Sequence, residues 1–260
     1  MKHILTIISV LLITICYSQN ITTNKLLKQT EQSLKKINTV VYKIEKSSNY
    51  FGSNETDYSK AICSLYIEPK DKLCSYFIIH SKDSKKNYSN FKYDGSLAQS
   101  LYYNIDSLDY KKKIRTQDIE LKGHSYVNGT HYILNDYFKK DNIFKQYRSL
   151  IANIFIKEIT VEESVYKDTP IYILTVYGKD KPRPNRINSS IDKYYIRKSD
   201  FLPIAHSFYG EFEGMKENTF TEIEYLNINP KLSLDFFKVD PTIKEVKPRA
   251  FYEESQKYNL

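Results

Sequence analysis

From residue 154 to residue 228 the chain keeps one hydrophobic period, and that period is two. Stretches 154–166, 170–177, 193–198, 202–212 and 219–228 are rich in β-branched and aromatic residues, which suit a pleated, half-buried strand. Short polar breaks divide most of them: Lys167-Asp168-Thr169-Pro170, Ser199-Asp200 and Gly214-Met215-Lys216-Glu217-Asn218. A longer one, 178–190 (GKDKPRPNRINSS), is polar and proline-bearing. Sequential hairpins of this kind make an antiparallel meander. In 171–177 both alternating sets are bulky, so neither face of that strand is clearly solvent.

The first half mixes elements. Residues 22–36 read as a helix that Thr22 or Thr23 can cap, with Leu26, Leu27, Leu34 and Ile37 on one face and Asn38 ending it. A strand follows at 39–46, in which Val40, Tyr42 and Ile44 alternate against Val41, Lys43 and Glu45. Strands at 61–67 and 73–80 flank the turn Glu68-Pro69-Lys70-Asp71. A register centred on Glu68 and Pro69 sets Cys63 opposite Cys74, and directly opposed Cβ atoms, ~4.5–5.5 Å apart, are within a small adjustment of a disulfide. A slip of one residue would send the two cysteines to opposite faces. Strands at 88–93 and 96–103 flank Asp94-Gly95, a type I′ hairpin signal. Residues 106–129 are polar and weakly patterned, and read as loop with some short structure. At 130–152 the spacing turns helical, with Leu134, Tyr137, Phe138, Phe144, Tyr147, Leu150 and Ile151 recurring at three and four, interrupted near Lys140-Asp141. Residues 232–239 can add a last strand or docking segment, and 241–260 read as a peripheral tail.

The ends set the compartment. Lys2 and His3 precede the apolar run 4–15, and Ser18 stands before the polar Gln19, the pattern of a cleavable signal peptide over 1–18. The run is too short for a permanent span, which needs about 20 residues. Cys16 offers a minority alternative, a lipid anchor on a new N-terminal cysteine, but Ile15 stands where such signals place a small residue. The expected protein is therefore exported. It is either peripheral to a membrane or free of it, with one domain over 19–240, and its two remaining cysteines meet an oxidising compartment. The formal charge is +8. It is read as compositional drift in a chain rich in Lys, Asn, Ile and Tyr rather than as a footprint for acidic partners, and no Arg-rich run or nucleic-acid motif accompanies it.

Motifs for chemistry are missing. No G-x-S-x-G elbow, phosphate loop or dinucleotide fingerprint occurs. His124 and His131, seven apart, lack the spacing of a zinc pair on one helical face, so neither metal nor cofactor is expected. Glu158, Glu162, Glu163, Glu222 and Glu224 fall on strands as an ordinary solvated face would place them. The remaining signal is apolar: Leu174, Val176, Ile196, Ile204, Phe208, Phe212, Ile223 and Tyr225 could line one wall. Taken singly, each is a core residue at least as readily as a ligand contact.

Three stretches resemble the LolA-like superfamily, which holds the periplasmic outer-membrane lipoprotein carriers and the RseB-type lipid-sensing domains. They are the opening TTNKLLKQTEQSLKKINTVVYKIEK, the pair DKYYIRKSDFLPIAHSF with its Leu202-Pro203 restart, and the closing FTEIEYLNINPKLSLDFFKVD with Asn229, Leu232 and Phe237. The resemblance implies an α+β, mostly antiparallel fold. A curved, incomplete β-barrel would carry helices on its concave side, with lipid or an acylated protein bound between them and no enzymatic step. It also implies the periplasm of a Gram-negative-type envelope. An envelope interaction module with a filled core is the competing expectation, and an unrecognised hydrolase a weaker one.

Overall fold

The structure is a computed structural model describing residues 21–49, 52–71, 73–83, 87–104, 110–116, 130–149, 156–179 and 189–239. The expected signal peptide with its Ser18-Gln19 cut and Cys16, the body of the 178–190 loop and the tail past 240 lie outside the described residues. Helix α1 (Thr23–Leu34) starts where Thr22 accepts a hydrogen bond from the Lys25 amide at 3.3 Å, and buries Leu26, Leu27 and Leu34. After it come β1 (Thr39–Asn49), β2 (Asp57–Ile67), β3 (Ser75–Asp83), β4 (Asn87–Tyr93), β5 (Leu97–Asn104) and β6 (Tyr110–Thr116). A 3-10 turn (Thr130–Tyr132) and two short helices, α2 (Asn135–Phe138) and α3 (Ile143–Arg148), interrupt the strands. The chain then returns to β7 (Ile156–Tyr166), β8 (Thr169–Gly178), β9 (Ser189–Arg197), β10 (Pro203–Phe212) and β11 (Met215–Ile228), and closes with α4 (Leu234–Phe237).

All eleven strands form one antiparallel sheet in the order β6-β5-β4-β3-β2-β1-β11-β10-β9-β8-β7. It is two meanders, β1–β6 and β7–β11, joined where β1 pairs with β11. Strands β6 and β7 are its two edges, so the barrel is incomplete, as expected. Two hairpins close with both central residues left-handed: Lys167-Asp168 (φ 46° and 62°) and Glu213-Gly214 (φ 50° and 78°). That backbone matches the twist of the strands it joins.

Four expectations are corrected. At Asp94-Gly95 only the glycine is left-handed (φ 92°). Tyr93 pairs with Ala98, and the Asp94 carboxylate accepts from the Ser96 and Leu97 amides at 2.9 and 2.7 Å, so the side chain closes a longer turn in place of a type I′ one. Residues 110–116, read as loop, form the edge strand β6; its Lys111-Lys112-Lys113 run obscures the period, and lysine is a usual device for blunting a sheet edge. Strand β11 begins at Met215, where a turn was expected. The β2–β3 register differs as well. Ile67 pairs with Ser75, which sets Cys63 opposite Ile79 and leaves Cys74 in a loop wound by Cys74 N–H to Asp71 O at 3.0 Å. Both cysteines are free, and the expected bridge is not formed. The loop takes up residues that the expected register had given to the strands.

The two chain ends of the sheet are tied by one side chain. Asn229, at φ 57°, ends β11. Its Oδ1 accepts from the Asn38 and Thr39 amides at 2.7 and 3.3 Å, and its Nδ2 donates to Lys36 O at 3.0 Å. Thr39 Oγ1 answers by donating to Pro230 O at 2.7 Å. Just beyond, α4 buries Phe237 against Tyr66, ring centroids 6.4 Å apart. Replacing Asn229 with glycine keeps the left-handed backbone and removes three hydrogen bonds, a loss of ~2 kcal/mol at roughly 0.5–1.5 each. Urea unfolding is expected to give that loss for Asn229→Gly and a larger one for Asn229→Ala, whose Cβ disfavours that φ. Equal stability of all three proteins would refute this role. For the cysteines, non-reduced peptide mapping is expected to return Cys63 and Cys74 unlinked, with Cys74 alkylated first in the folded protein. A linked peptide would refute the register.

Candidate functional site

Directly paired residues of antiparallel strands share a face, so the register places the proposed wall. Tyr42 opposes Tyr225 and Ile44 opposes Ile223 across β1–β11, while Leu174 opposes Tyr194 and Val176 opposes Asp192 across β8–β9. Following these pairs through His206–Thr221 and Phe208–Thr219 puts Leu174, Val176, Ile196, Phe208, Phe212, Ile223 and Tyr225 on the face that also carries Tyr42, Cys63 and Phe77. Ile204 is the extra residue of a bulge between the pairs Pro203–Ile196 and Ala205–Tyr195. The wall is divided by depth. Leu174, Val176, Ile196 and Ile223 are buried in one apolar cluster with Leu26, Leu27, Tyr137 and Phe144 from the helices, whereas Ile204, Phe208, Phe212 and Tyr225 are half-exposed.

The helical segments 130–138 and 142–149 roof this face with aromatic rings. Tyr137, Phe144 and Tyr147 surround Tyr194 at centroid distances of 6.4, 5.2 and 5.9 Å, and the Tyr147 and Tyr194 hydroxyls share a hydrogen bond of 2.9 Å. At the other end of the roof the Tyr42 hydroxyl donates to Tyr132 O at 2.8 Å, with Cys63 Sγ beside it at 3.7 Å. Burial holds the Tyr42, Tyr137, Tyr147 and Tyr194 phenols well above their ordinary ionisation range, so they stay neutral hydrogen-bonding groups. Burial pushes the Cys63 thiol up in the same way, which makes it a packing group and no nucleophile. Behind the roof, Glu31 on α1 pairs with Lys35 at 2.5 Å and with Arg148 on α3.

Two residues on from Ala61, Ile44 and Ile223 the same face turns polar. Ser59, Lys46, Thr221 and His206 lie in a row across β2, β1, β11 and β10. His206 Nε2 meets Asp192 Oδ1 at 2.9 Å and the ring stacks on Tyr194 at 4.5 Å. This row was missed by reading the chain alone, although its signal was present: continuing the alternation of Val40, Tyr42 and Ile44 puts Lys46 on the apolar side. Tyr194, the ring on which the roof is centred, was missed too, because Tyr194-Tyr195 gives no parity by itself. The imidazole–carboxylate pair has the first two parts of a relay. Ser207, its neighbour in sequence, falls on the opposite face. Among the described residues no group of three or more His, Cys, Asp or Glu side chains is placed to hold a metal ion; His124 lies outside them.

Two clefts open on the opposite face, of about 370 and 700 Å³. The first has Tyr58, Lys60, Lys82, Glu45 and Glu222 on its walls, the second Ile191, Lys193, Tyr209 and Asn218, and Ser47 and Phe220 line both; Lys46, Ser59 and Asp83 also border the first, and Phe208 and Thr219 the second. The charges of the first are mixed, and its Glu45 and Glu222 are paired with Lys43 and Lys167 at 2.5 Å, so it has no single-sign field; the second is lined by one charged side chain, Lys193.

No protein-family model matches the chain, and no curated protein matches it. Solved structures do. LprF from Mycobacterium bovis is similar over 82% of this chain and 95% of its own, at 10% identity and a TM-score of 0.38. The Pseudomonas aeruginosa MucA/MucB complex contributes a match over 84% of this chain and 61% of that one, at 10% identity and a TM-score of 0.37. A LolA superfamily protein from Nitrosomonas europaea matches over 85% and 99%, at 8% identity and a TM-score of 0.28.

The roof's anchoring carries a pH signature. Burial alone would raise the Glu31 carboxyl, but Lys35 and Arg148 outweigh it and hold the group below its ordinary value of 4.5. The folded state therefore binds that proton less readily than the unfolded one. The resulting stability is present above the unfolded value and lost as pH falls through the folded one. Denaturation of Glu31→Gln is expected to show lower stability than the native chain at pH 7, with the gap closing on acidification below 4. A gap that is constant with pH would contradict this coupling.

Proposed function

We propose that this protein is an exported, non-enzymatic binder of amphipathic acyl ligands, free lipid or an acylated protein, held between the helix roof and the sheet. The observation that carries the reading is the division of the wall. One apolar cluster of the roofed face holds the buried Leu174, Val176, Ile196 and Ile223, and past the polar row of Lys46, Thr221 and His206 the same face carries the half-exposed Phe208 and Phe212. The sheet is not closed on itself, so the roof can shift against it without breaking a strand pair. We take the roofed face to be the hollow of the bend, 1–18 to be removed on export, 19–240 to be the working domain, and 241–260 a peripheral tail. With this reading go an envelope location, peripheral contact with a membrane and no nucleic-acid partner.

Magnitudes favour long chains. Each buried methylene contributes ~0.8 kcal/mol, against an association cost of at least ~4 kcal/mol. About five methylenes are needed to break even. Twelve would leave several kcal/mol of binding. The competing reading, a filled module that binds no lipid, is favoured by Leu174 and Ile196, both 0% exposed and already packed among the chain's own groups.

Native mass spectrometry of the purified protein is expected to show co-purifying lipid. Delipidated protein is expected to take up a fluorescent long-chain fatty acid with affinity rising with chain length, and Phe208→Ser and Phe212→Ser to weaken uptake severalfold while remaining folded. Delipidated, folded protein that takes up no probe would establish the filled-module reading instead.

A further inference from the structure

The polar row contains a cation that enters no ion pair among the described residues. Lys46 is half-buried on the roofed face, one step beyond Ile44 along β1. Its ammonium donates to His131 O at 2.9 Å. An ammonium has three donors, and among the described residues Lys46 enters no ion pair. Of the carboxylates in register, Asp83, opposite Ser59, accepts from the Asn87 amide and side chain at 2.9 Å, and the exposed Asp57 lies opposite Ser48. On either side of Lys46 the register sets a hydroxyl, Ser59 on β2 and Thr221 on β11, the latter buried. On the roof side, partial desolvation and the charge of Lys46 push the His131 imidazole down to about 4, so at neutral pH it adds no second charge. Loss of water lowers the Lys46 ammonium itself with no carboxylate to offset it.

We propose that Lys46, flanked by Ser59 and Thr221, is the site at which an acyl ligand's anionic headgroup is held, a carboxylate or a phosphate. This rests on the acyl-binding reading and adds the class of ligand to it. The geometry is that of a border. Row by row across the sheet, Ala61, Ile44 and Ile223 give way to Ser59, Lys46 and Thr221, so an acyl chain lying on the apolar rows ends its head at the ammonium. An anion there fills the open donors and pairs the charge, and a charge-assisted hydrogen bond is stronger than a neutral one. A neutral head of the same size would leave the cation as costly as before.

The test uses the folded mature protein, stripped of lipid, and three ligands with one twelve-carbon chain: laurate, lauroyl lysophosphatidic acid and monolaurin. At pH 8 the native protein is expected to bind at least one of the two anions tenfold or more tightly than neutral monolaurin. Lys46→Met is expected to bring that anion down to the monolaurin level with monolaurin affinity unchanged, and Lys46→Arg to keep the preference. Which anion loses affinity in Lys46→Met distinguishes a fatty acid from a phospholipid. Equal native affinity for anions and monolaurin would overturn the headgroup site while leaving acyl binding intact, and needs no variant. Retention of the preference in Lys46→Met would overturn it also. No binding of any of the three would remove both the headgroup site and the acyl reading.

Discussion

The pairing of β1 with β11 is the interaction on which the rest of the molecule depends. It joins residues from the two ends of the domain, Val40 with Ile228 and Asn49 with Asn218, and makes one sheet out of two meanders that are each local in sequence. Without it neither meander has the breadth to carry the helices. With it, Ile44 meets Ile223 and Tyr42 meets Tyr225, and the apolar strips of both halves become one surface. Such a long-range contact must overcome a large closure entropy, and the dense bonding about Asn229, from the end of α1 to the start of α4, is placed where that closure is made.

Much of this was legible in the chain because alternation is a strong signal wherever one face is buried. The order of elements, the opening helix with its Thr22 cap, the broken helical stretch around Lys140-Asp141 and the meander of β7–β11 all follow from period and punctuation. So does the shared face of the wall residues, since parity is inherited along a strand. What could not be read was register across a loop. The 68–74 connection winds on itself through Asp71, and no local pattern says how many residues such a winding takes, so Cys63 and Cys74 were paired by symmetry and found apart. Strand β6 was hidden by its lysines, since an edge strand is protected by the very residues that erase its hydrophobic period.

The site was legible as surface and not as chemistry. Phe208 and Phe212 could be assigned to a wall from the sequence, but the roof that divides the wall depends on which helical residues land on Tyr194, a tertiary fact. The polar row emerges only when strands far apart in sequence are laid side by side: Ser59, Lys46, Thr221 and His206 span most of the domain. The resulting face is greasy at the centre and carries at one border the half-buried Lys46, which enters no ion pair among the described residues.

In the proposed function the space between roof and sheet admits a guest. Hydrogen exchange measured on the folded protein, with and without a saturating long-chain fatty acid, addresses it most directly. Slower exchange in 130–149 and 203–212 on adding the acid, with β3 and β4 unchanged, is the outcome the account requires. Exchange that does not change in those segments, or changes only in strands lining the opposite clefts, would contradict it.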